Sequence, residues 1–262
     1  MSYDQITVVA IYGNGQAMSA IPALERTAAC LPGCKKLLIT NEILATDIPQ
    51  KVCGPLDYDG YSKFCMYALH HYINTDYAFI VQHDGWALNK DNWKDEWLEY
   101  DYIGGLTHAA VSGDRFITGF QWMNAPNPVV VQNGGFSLRS KRFMQALVHN
   151  GIMPRFFGDQ ILNNEDVQLT ALLRPDLEAV GIKFAPDDES KLFSFEHLSP
   201  GLHSIEEAVK IFGHHSRLRT LLSHDTMVWH LTEEQTNSIP LERTVHDMFK
   251  YHYKYKIVYA PK

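Results

Sequence analysis

The sequence predicts an α/β fold in which a central, mainly parallel sheet is flanked by helices. Two apolar, β-branched runs, Ile6–Tyr12 and residues 77–81, have the composition of buried strands. Segments with apolar residues at helical spacing alternate with these runs, which is typical of βαβ units. With 262 residues, 45% of them hydrophobic, the chain can bury a sizeable core.

The elements of the N-terminal part follow in order. The first strand ends at a glycine turn, residues 13–15, and residues 18–30 have the alanine- and leucine-rich composition of a helix. A second strand is predicted at residues 36–40, and a helix at residues 61–73 precedes the next strand. The glycine turn is either a plain turn or the start of a dinucleotide loop, whose third glycine is replaced here by Met18.

The strand at residues 77–81 stops abruptly at the polar triplet Gln82-His83-Asp84. In an open α/β sheet, the carboxyl ends of the strands present polar groups to a ligand. Asp84 offers a hard oxygen ligand for a divalent cation, and His83 offers an imidazole. The alternative is that Asp84 only caps the turn at Gly85. The triplet is the first candidate site.

The middle of the chain predicts a loop and then a glycine turn. Residues 107–128 are polar, contain glycine and lack a clear period, which indicates a loop that could cover a ligand. Asn133-Gly134-Gly135 then predicts a turn into a short strand, and Ser140 is placed to cap the helix that follows.

Two later segments carry titratable side chains. Glu165 and Asp166 stand in the first turn of a predicted helix, where ionised carboxylates either take a proton from a hydroxyl or stabilise the helix terminus. His214 and His215 supply either a late metal ligand or a hydrogen-bonded core pair.

Composition and motifs exclude several classes of function. A formal charge of −7 argues against a general affinity for nucleic acid or anionic lipid surfaces. No apolar run approaches the ~20 residues that cross a bilayer, and the N-terminus lacks a secretion signal, so a cytoplasmic protein is expected. Neither H-E-x-x-H nor G-x-S-x-G occurs. The irregular spacing of the cysteines favours free thiols over a zinc site; they are Cys30, Cys34, Cys53 and Cys65.

Six motifs together resemble an uncharacterised, glycosyltransferase-like family whose domain has no known function. The similarity covers about residues 6–215. The motifs are Val81-Gln82-His83-Asp84-Gly85-Trp86, Glu99-Tyr100-Asp101-Tyr102-Ile103-Gly104, Asn133-Gly134-Gly135-Phe136-Ser137-Leu138-Arg139-Ser140, Glu165-Asp166-Val167, Phe193-Ser194-Phe195-Glu196 and Phe212-Gly213-His214-His215.

The resemblance implies a GT-A-like, Rossmann-related glycosyltransferase fold with a divalent cation, Mn²⁺ or Mg²⁺, at an acidic triplet. Asp84 would be the carboxylate ligand of the cation and His215 the late histidine ligand. Gln82 stands where the usual Asp-x-Asp triplet has its first acid. The implied donor-binding residues are Tyr12, Lys63, Gln82, His83, Asp84, Asn133, Gly134 and Gly135.

The resemblance also implies that Glu165 or Asp166 faces the acceptor hydroxyl. One of them would be the general base of an inverting enzyme, and both would only bind sugar in a retaining one. The predicted organisation is a transferase domain over residues 1–220, whose nucleotide-binding half is about 1–105 and acceptor half about 106–220, and a helical extension over 221–262.

The predicted function is transfer of a sugar from a nucleotide-sugar donor to a glycan or lipid-linked saccharide, as in polysaccharide biosynthesis. Contact with a membrane would be peripheral and would come through the acceptor. Two alternatives remain open: a non-catalytic nucleotide- or glycan-binding module with a degenerate metal site, and an NAD(P)-dependent oxidoreductase that uses the glycine turn at residues 13–15.

Overall fold

The protein has an α/β fold with a large, mainly parallel central sheet flanked by helices, as the sequence predicts. The computed structural model describes residues 2–112, 115–118, 128–157, 160–161, 164–198 and 203–260. Side chains are described within these ranges except at residues 108–112, 115–118, 128, 156–157, 160–161 and 205.

The strands of the described residues fall into one large and two small sheets. They are β1 (Ile6–Tyr12), β2 (Lys35–Thr40), β3 (Gln50–Val52), β4 (Tyr77–Ile80), β5 (Gly85–Ala87), β6 (Tyr102–Ser112), β7 (Arg115–Thr118), β8 (Pro128–Ser140), β9 (Phe156–Phe157), β10 (Gln160–Ile161), β11 (Ser194–Phe195), β12 (Gly213–His215), β13 (Arg219–Leu221), β14 (Thr226–Trp229) and β15 (Lys256–Tyr259).

The helices are short, and several continue as π- or 3₁₀-helical turns. They are α1 (Ile21–Cys30), α2 (Tyr58–Lys63), α3 (Lys141–Asn150), α4 (Glu165–Val167), α5 (Arg174–Ala179), α6 (Asp187–Phe193), α7 (Ile205–Ala208), α8 (Glu233–Ser238) and α9 (Pro240–Asp247). The π turns are Phe64–Ala68, Gln168–Leu172 and Met248–His252, and the 3₁₀ turns include Ala17–Ala20, Leu69–His71, Lys90–Asn92 and Asp95–Glu99. No helix in the described ranges is both long and apolar enough to span a bilayer.

The order of the strands in the main sheet is β3-β2-β1-β4-β8-β6-β11-β12-β5, with β7 paired to β6. Seven strands, β1, β2, β3, β4, β6, β11 and β12, point the same way, whereas β5, β7 and β8 run against them. β1 pairs with β2 on one side and with β4 on the other, so the direction in which strands follow one another across the sheet reverses at β1. Ligands of open α/β sheets bind at such a reversal, beside the carboxyl ends of the strands.

The core explains why these strands lie in the centre. All seven residues of β1 are buried, as expected for a strand covered on both faces. On β4, the Phe79 ring contacts the rings of Phe136 and Phe193, with centroid distances of 4.8 and 5.5 Å. These aromatic contacts fix β4, and therefore the polar triplet that follows it, against the sheet.

The ends of α3 are specified locally, as the sequence predicts. Ser140 Oγ accepts a hydrogen bond from the Phe143 backbone N–H at 3.0 Å. At the other end, Gly151 adopts a φ of 61°, a left-handed conformation that favours glycine. The cap and the stop together orient the chain between β8 and the next strand.

The loop predicted over residues 107–128 is wrong where the structure describes it. β6 continues to Ser112, β7 follows it, and β8 begins at Pro128. β6 and β8 pair over a long antiparallel ladder, which overrides the polar composition of the segment. Residues 113–114 and 119–127 lie outside the described residues, so a covering loop there stays a prediction.

The C-terminal segment is only partly the helical extension that its sequence predicts. Besides α8 and α9 it contains a three-stranded sheet in the order β13-β14-β15. Met227 and Trp229 of β14 are buried, and their neighbours Thr226 and Val228 are partly exposed, which is the two-residue period of a strand. The strand is too short for this period to stand out in the sequence.

Candidate functional site

A cleft of about 1150 Å³ lies at the carboxyl edge of the main sheet. Most of the residues proposed from the sequence contribute to its wall, namely Tyr12, Gln82, His83, Asp84, Asn133, Gly135, Glu165, Asp166 and His215. The backbone N–H of Gly134 donates to Asp166 Oδ2 at 3.3 Å, so this residue lies directly behind the wall. Lys63 is exposed on α2 and is not among the lining residues.

Four parallel strands deliver polar residues to this cleft from their carboxyl ends. β1 ends at Tyr12, β4 leads into His83 and Asp84, β11 leads into Glu196, and β12 ends at His215. The reversal of the strand order between β1 and β4 places the first two ends side by side. The cleft therefore occupies the position at which this class of fold binds ligands.

The Tyr12 hydroxyl contacts both the backbone and the ring of His83. The Tyr12 Oη accepts a hydrogen bond from the His83 backbone N–H at 2.8 Å and lies 2.8 Å from His83 Nδ1. Burial raises the pKa of Tyr12 far above its usual value, so the hydroxyl keeps its proton and can donate it to Nδ1. In that assignment His83 carries its own proton on Nε2, the nitrogen left for a ligand in the cleft.

Asp84, His215 and Gln82 form one connected group. Asp84 Oδ1 lies 3.4 Å from His215 Nε2, and Gln82 Oε1 lies 3.0 Å from the same nitrogen. The Gln82 amide donates in turn to Tyr61 Oη at 2.9 Å. Gln82 therefore orients the His215 ring, a role that an acid in the same place would fill with a further negative charge.

The attraction between Asp84 and His215 outweighs the effect of burial on both of their pKa values. Burial alone would raise the pKa of Asp84, but the His215 ring outweighs it and holds that pKa well below its usual value. Burial likewise disfavours a charged His215, yet the Asp84 carboxylate raises its pKa to about 9. The two side chains therefore form an ion pair at neutral pH.

Glu165 and Asp166 are adjacent in sequence but differ in their partners. Glu165 Oε1 accepts a hydrogen bond at 2.9 Å from Arg139 Nη2, and Arg139 is fully buried on β8. Among the described residues, the hydrogen-bond donors to Asp166 are backbone N–H groups, that of Val167 at 2.8 Å and that of Gly134. Glu165 is thus neutralised by a guanidinium, whereas Asp166 is free to act in the cleft.

The environment of Asp166 makes it a proton acceptor near neutral pH. Burial is the largest cause that raises its pKa, and the charges of Glu165 and Glu196 add to it, so the pKa reaches about 7. A carboxylate with a pKa close to the ambient pH is well suited to take a proton from a hydroxyl.

Asn133-Gly134-Gly135 is not the predicted turn, because these residues lie inside β8. The glycines are needed for space instead. A Cβ on Gly135 would lie 2.3 Å from His215 Nε2, and one on Gly134 would lie 2.2 Å from Glu165 Oε1. The strand therefore lets the two groups of the cleft approach its backbone directly.

The glycine turn after β1 is explained by chain packing. A Cβ on Gly13 would lie 2.5 Å from Leu56 Cγ, and the Leu56 N–H donates to the Gly13 carbonyl at 2.8 Å. Gly15 has a φ of 75°. A 3₁₀ turn separates this segment from α1, so no long helix begins at the turn, and these contacts favour the plain-turn interpretation.

Several residues of the cleft do not figure in the sequence-based site. Glu196 follows β11 just as the triplet follows β4, a signal that was available in Phe193-Ser194-Phe195-Glu196. Its Oε2 accepts from Asn133 Nδ2 at 3.3 Å. Further lining residues that the sequence did not single out as site residues include Tyr58, Asn164, His197 and Arg217.

Arg217 is the one arginine or lysine among the lining residues that the structure describes. It is exposed and follows Ser216, whose N–H donates to the Asp84 carbonyl at 2.8 Å. The positive charge of His215 is already paired with Asp84, so this guanidinium is placed to attract an anionic ligand beside Asp84.

Asp84 and His215 are the side chains of the cleft that could ligate a metal ion. Within the described ranges no group of three or more His, Cys, Asp and Glu side chains is arranged to hold a metal ion. Asp84 and His215 still converge, and the buried Asp84 Oδ1 accepts no well-directed hydrogen bond there. Two protein ligands suffice for a cation such as Mg²⁺ when phosphate oxygens and waters supply the remainder.

Comparison with known proteins gives a family without a function. Residues 48–215 match the family described as "Protein of unknown function (DUF5672)". No curated protein matches the chain. Among solved structures, the bifunctional IspDF from Campylobacter jejuni is similar at 10% identity and a TM-score of 0.39, over 79% of this chain and 54% of that one. At this level of similarity, nothing about function is inferred from that structure.

Proposed function

Because the chain belongs to the DUF5672 family of unknown function, its activity has to come from the cleft, and we propose that it is a glycosyltransferase of GT-A type with a nucleotide-sugar donor. The observation that carries this proposal is that two groups of titratable side chains line one cleft, both next to the glycines of β8. His215, paired with Asp84, lies against Gly135, and Asp166 accepts a hydrogen bond from the Gly134 backbone N–H.

The first group suits the diphosphate of the donor. His83 presents an N–H, and Arg217 adds a positive charge beside Asp84. Asp84, together with His215 once its Nε2 proton has left, would hold a divalent cation, Mn²⁺ or Mg²⁺, which when bound neutralises the charge of the departing diphosphate. The Tyr12 hydroxyl fixes His83, so its contribution to donor binding is indirect.

The second group suits the acceptor. We infer that the Asp166 carboxylate takes the proton of the attacking hydroxyl while the hydroxyl oxygen bonds to the anomeric carbon. The bond from that carbon to the diphosphate oxygen breaks, and the diphosphate leaves with the electron pair. This assigns the general base to Asp166. Glu165, paired with Arg139, holds the strand and helix in place around it.

The proposal extends to the context of the reaction. The acceptor is a glycan or a lipid-linked saccharide, and the cell compartment is the cytoplasm, where nucleotide sugars are consumed in polysaccharide biosynthesis. A lipid-linked acceptor would bring the protein to a membrane surface without a spanning helix.

Calorimetry with UDP and GDP, with and without Mn²⁺, tests the donor site. We expect one nucleotide to bind at least about tenfold more tightly with Mn²⁺, and Asp84→Asn to remove that difference. Asp188→Ala is the control, because that side chain is 90% exposed on α6 and lies outside the cleft wall. Metal-dependent binding that survives in Asp84→Asn would show that Asp84 is not the ligand.

A second candidate function rests on Gln82. Gln82 stands where the usual Asp-x-Asp triplet has its first acid, and its amide is hydrogen-bonded to Tyr61 and His215. The wall therefore has no carboxylate at this position. A non-catalytic module that binds a nucleotide or glycan would show binding without Mn²⁺ dependence and no release of nucleotide from any nucleotide sugar. The oxidoreductase alternative requires NAD(P) binding, which calorimetric titration with NAD⁺ and NADP⁺ measures.

A further inference from the structure

Tyr58 lines the cleft, and the donor site proposed above gives it no role. It is the first residue of α2 and is 62% exposed. Isolated exposed aromatic residues are common on protein surfaces and need no explanation. This one is held in place, because its Oη accepts a hydrogen bond from Asn164 Nδ2 at 2.7 Å.

The side chain of Asn164 makes that hydrogen bond and does not cap a helix. It is the N-cap residue of α4, a position where an asparagine side chain normally accepts a backbone N–H of the helix. Here the side chain makes no such bond, and the Val167 N–H is bonded by Asp166 instead. A local preference that is broken beside a cleft, in favour of fixing an exposed ring, is characteristic of a binding position.

The hydrogen bond from Asn164 ties the hydroxyl of this ring to the start of α4, whose first turn carries Asp166, the proposed base. Burial of the hydroxyl and then the charges of Asp166 and Glu165 raise the pKa of Tyr58 to about 12. The phenol is therefore neutral at physiological pH and keeps a proton that it can donate. One side of the ring system is thus apolar, and its tip is a hydrogen-bond donor.

We propose that Tyr58 is the platform of an acceptor subsite, on which a pyranose ring stacks with one hydroxyl turned towards Asp166. This inference rests on the proposed transferase function and adds the acceptor class, a neutral saccharide bound through its ring. The apolar face of the phenol matches the C–H face of a pyranose, and Asn164 keeps the platform at a fixed angle.

The test uses the full chain with cellobiose, maltose and diacetylchitobiose as probes, observed by saturation-transfer NMR in the presence of UDP or GDP. We expect at least one disaccharide to bind. Tyr58→Ala should raise its dissociation constant about tenfold, and Tyr58→Phe, which keeps the ring, less than about threefold. Tyr251→Ala is the matched control, because Tyr251 is 65% exposed and outside the cleft wall.

Calorimetry of UDP and GDP on the same variants separates the outcomes. Unchanged nucleotide binding in Tyr58→Ala, together with weaker disaccharide binding, supports the platform. Weaker nucleotide binding would assign the ring to the donor base and overturn it, as would equal disaccharide binding by all variants or none by the wild type. Disaccharide binding that depends on Tyr58, without any nucleotide binding, would keep the platform and reject the transferase.

Discussion

Two buried arginine–glutamate pairs lie in different regions of this protein and serve different purposes. In the cleft, Arg139 of β8 pairs with Glu165 of α4, with 2.9 Å between Nη2 and Oε1. In the C-terminal region, Arg219 of β13 pairs with Glu242 of α9 at 2.7 Å. Both arginines are fully buried and both face aromatic rings.

The surroundings of the pairs explain the difference. Arg219 lies 4.8 Å from the centre of the Trp229 ring and 5.6 Å from that of Phe249, within the apolar cluster that joins the C-terminal sheet to β11. The residue next to Glu165 is Asp166, which opens into the cleft. A buried ion pair therefore indicates function only when a neighbouring group is left free to react.

Breaking the C-terminal pair should give the largest loss of stability. Arg219→Met leaves the buried Glu242 carboxylate without its guanidinium and with the more distant His197 ring, 3.9 Å from Oε1, as its remaining ion-pair partner, which costs about 3–5 kcal/mol. Replacing both residues, Arg219→Met with Glu242→Leu, should restore most of that loss, since two uncharged side chains need no partner. Urea unfolding of the three proteins measures the free energies of unfolding, and a double variant as unstable as the single one would contradict this account.

The cleft pair can be disturbed without changing any charge. In Gly134→Ala the new Cβ would lie 2.2 Å from Glu165 Oε1 and 2.9 Å from Arg139 Nη2, so the pair must move. We expect a loss of stability of about 1–3 kcal/mol and a transfer rate lowered about tenfold, because β8 also supports Asp166.

Gly151→Ala is the matched control for that change. It places an alanine at a φ of 61° beyond α3, away from the cleft wall, and should cost about 1 kcal/mol without affecting the rate. Measured unfolding and initial rates check both variants. Equal rates for the two alanine variants would show that the position of the cleft pair does not matter.

The sequence predicts the central fold because its signals are local. The apolar residues of β1 and the abrupt end of the second apolar run at Gln82 need no partner to be recognised. Ser140 and Gly151 likewise mark the ends of α3 within a few residues. These features predict that Tyr12 and the Gln82-His83-Asp84 triplet lie at the carboxyl edge of the sheet, where the cleft is found.

The remaining features depend on contacts between distant residues. The space requirement of Gly134 comes from Glu165, and the engagement of Arg139 comes from the same residue, 26 positions away. Tyr58 and Asn164 are 106 positions apart. Nothing in either segment alone indicates the other, so these contacts around Glu165 and Tyr58 emerge only from the folded chain.

The central claim is that Asp166 is the base of a transfer reaction. The most direct test measures release of UDP or GDP from a nucleotide sugar between pH 5 and 9, with a saccharide acceptor, for the wild type and Asp166→Asn. A base must be ionised, so the wild-type rate should rise with pH through about 7, where Asp166 loses its proton.

Asp166→Asn should lower that rate about 10²- to 10⁴-fold and remove the rise with pH, while nucleotide binding measured by calorimetry stays unchanged. The free energy of unfolding of this variant should equal or exceed that of the wild type near neutral pH. Folding raises the pKa of Asp166 to about 7, so ionisation of this carboxyl lowers the stability of the wild type as the pH rises towards 7 and beyond. A variant that releases nucleotide at the wild-type rate, with the same pH dependence, would contradict the assignment.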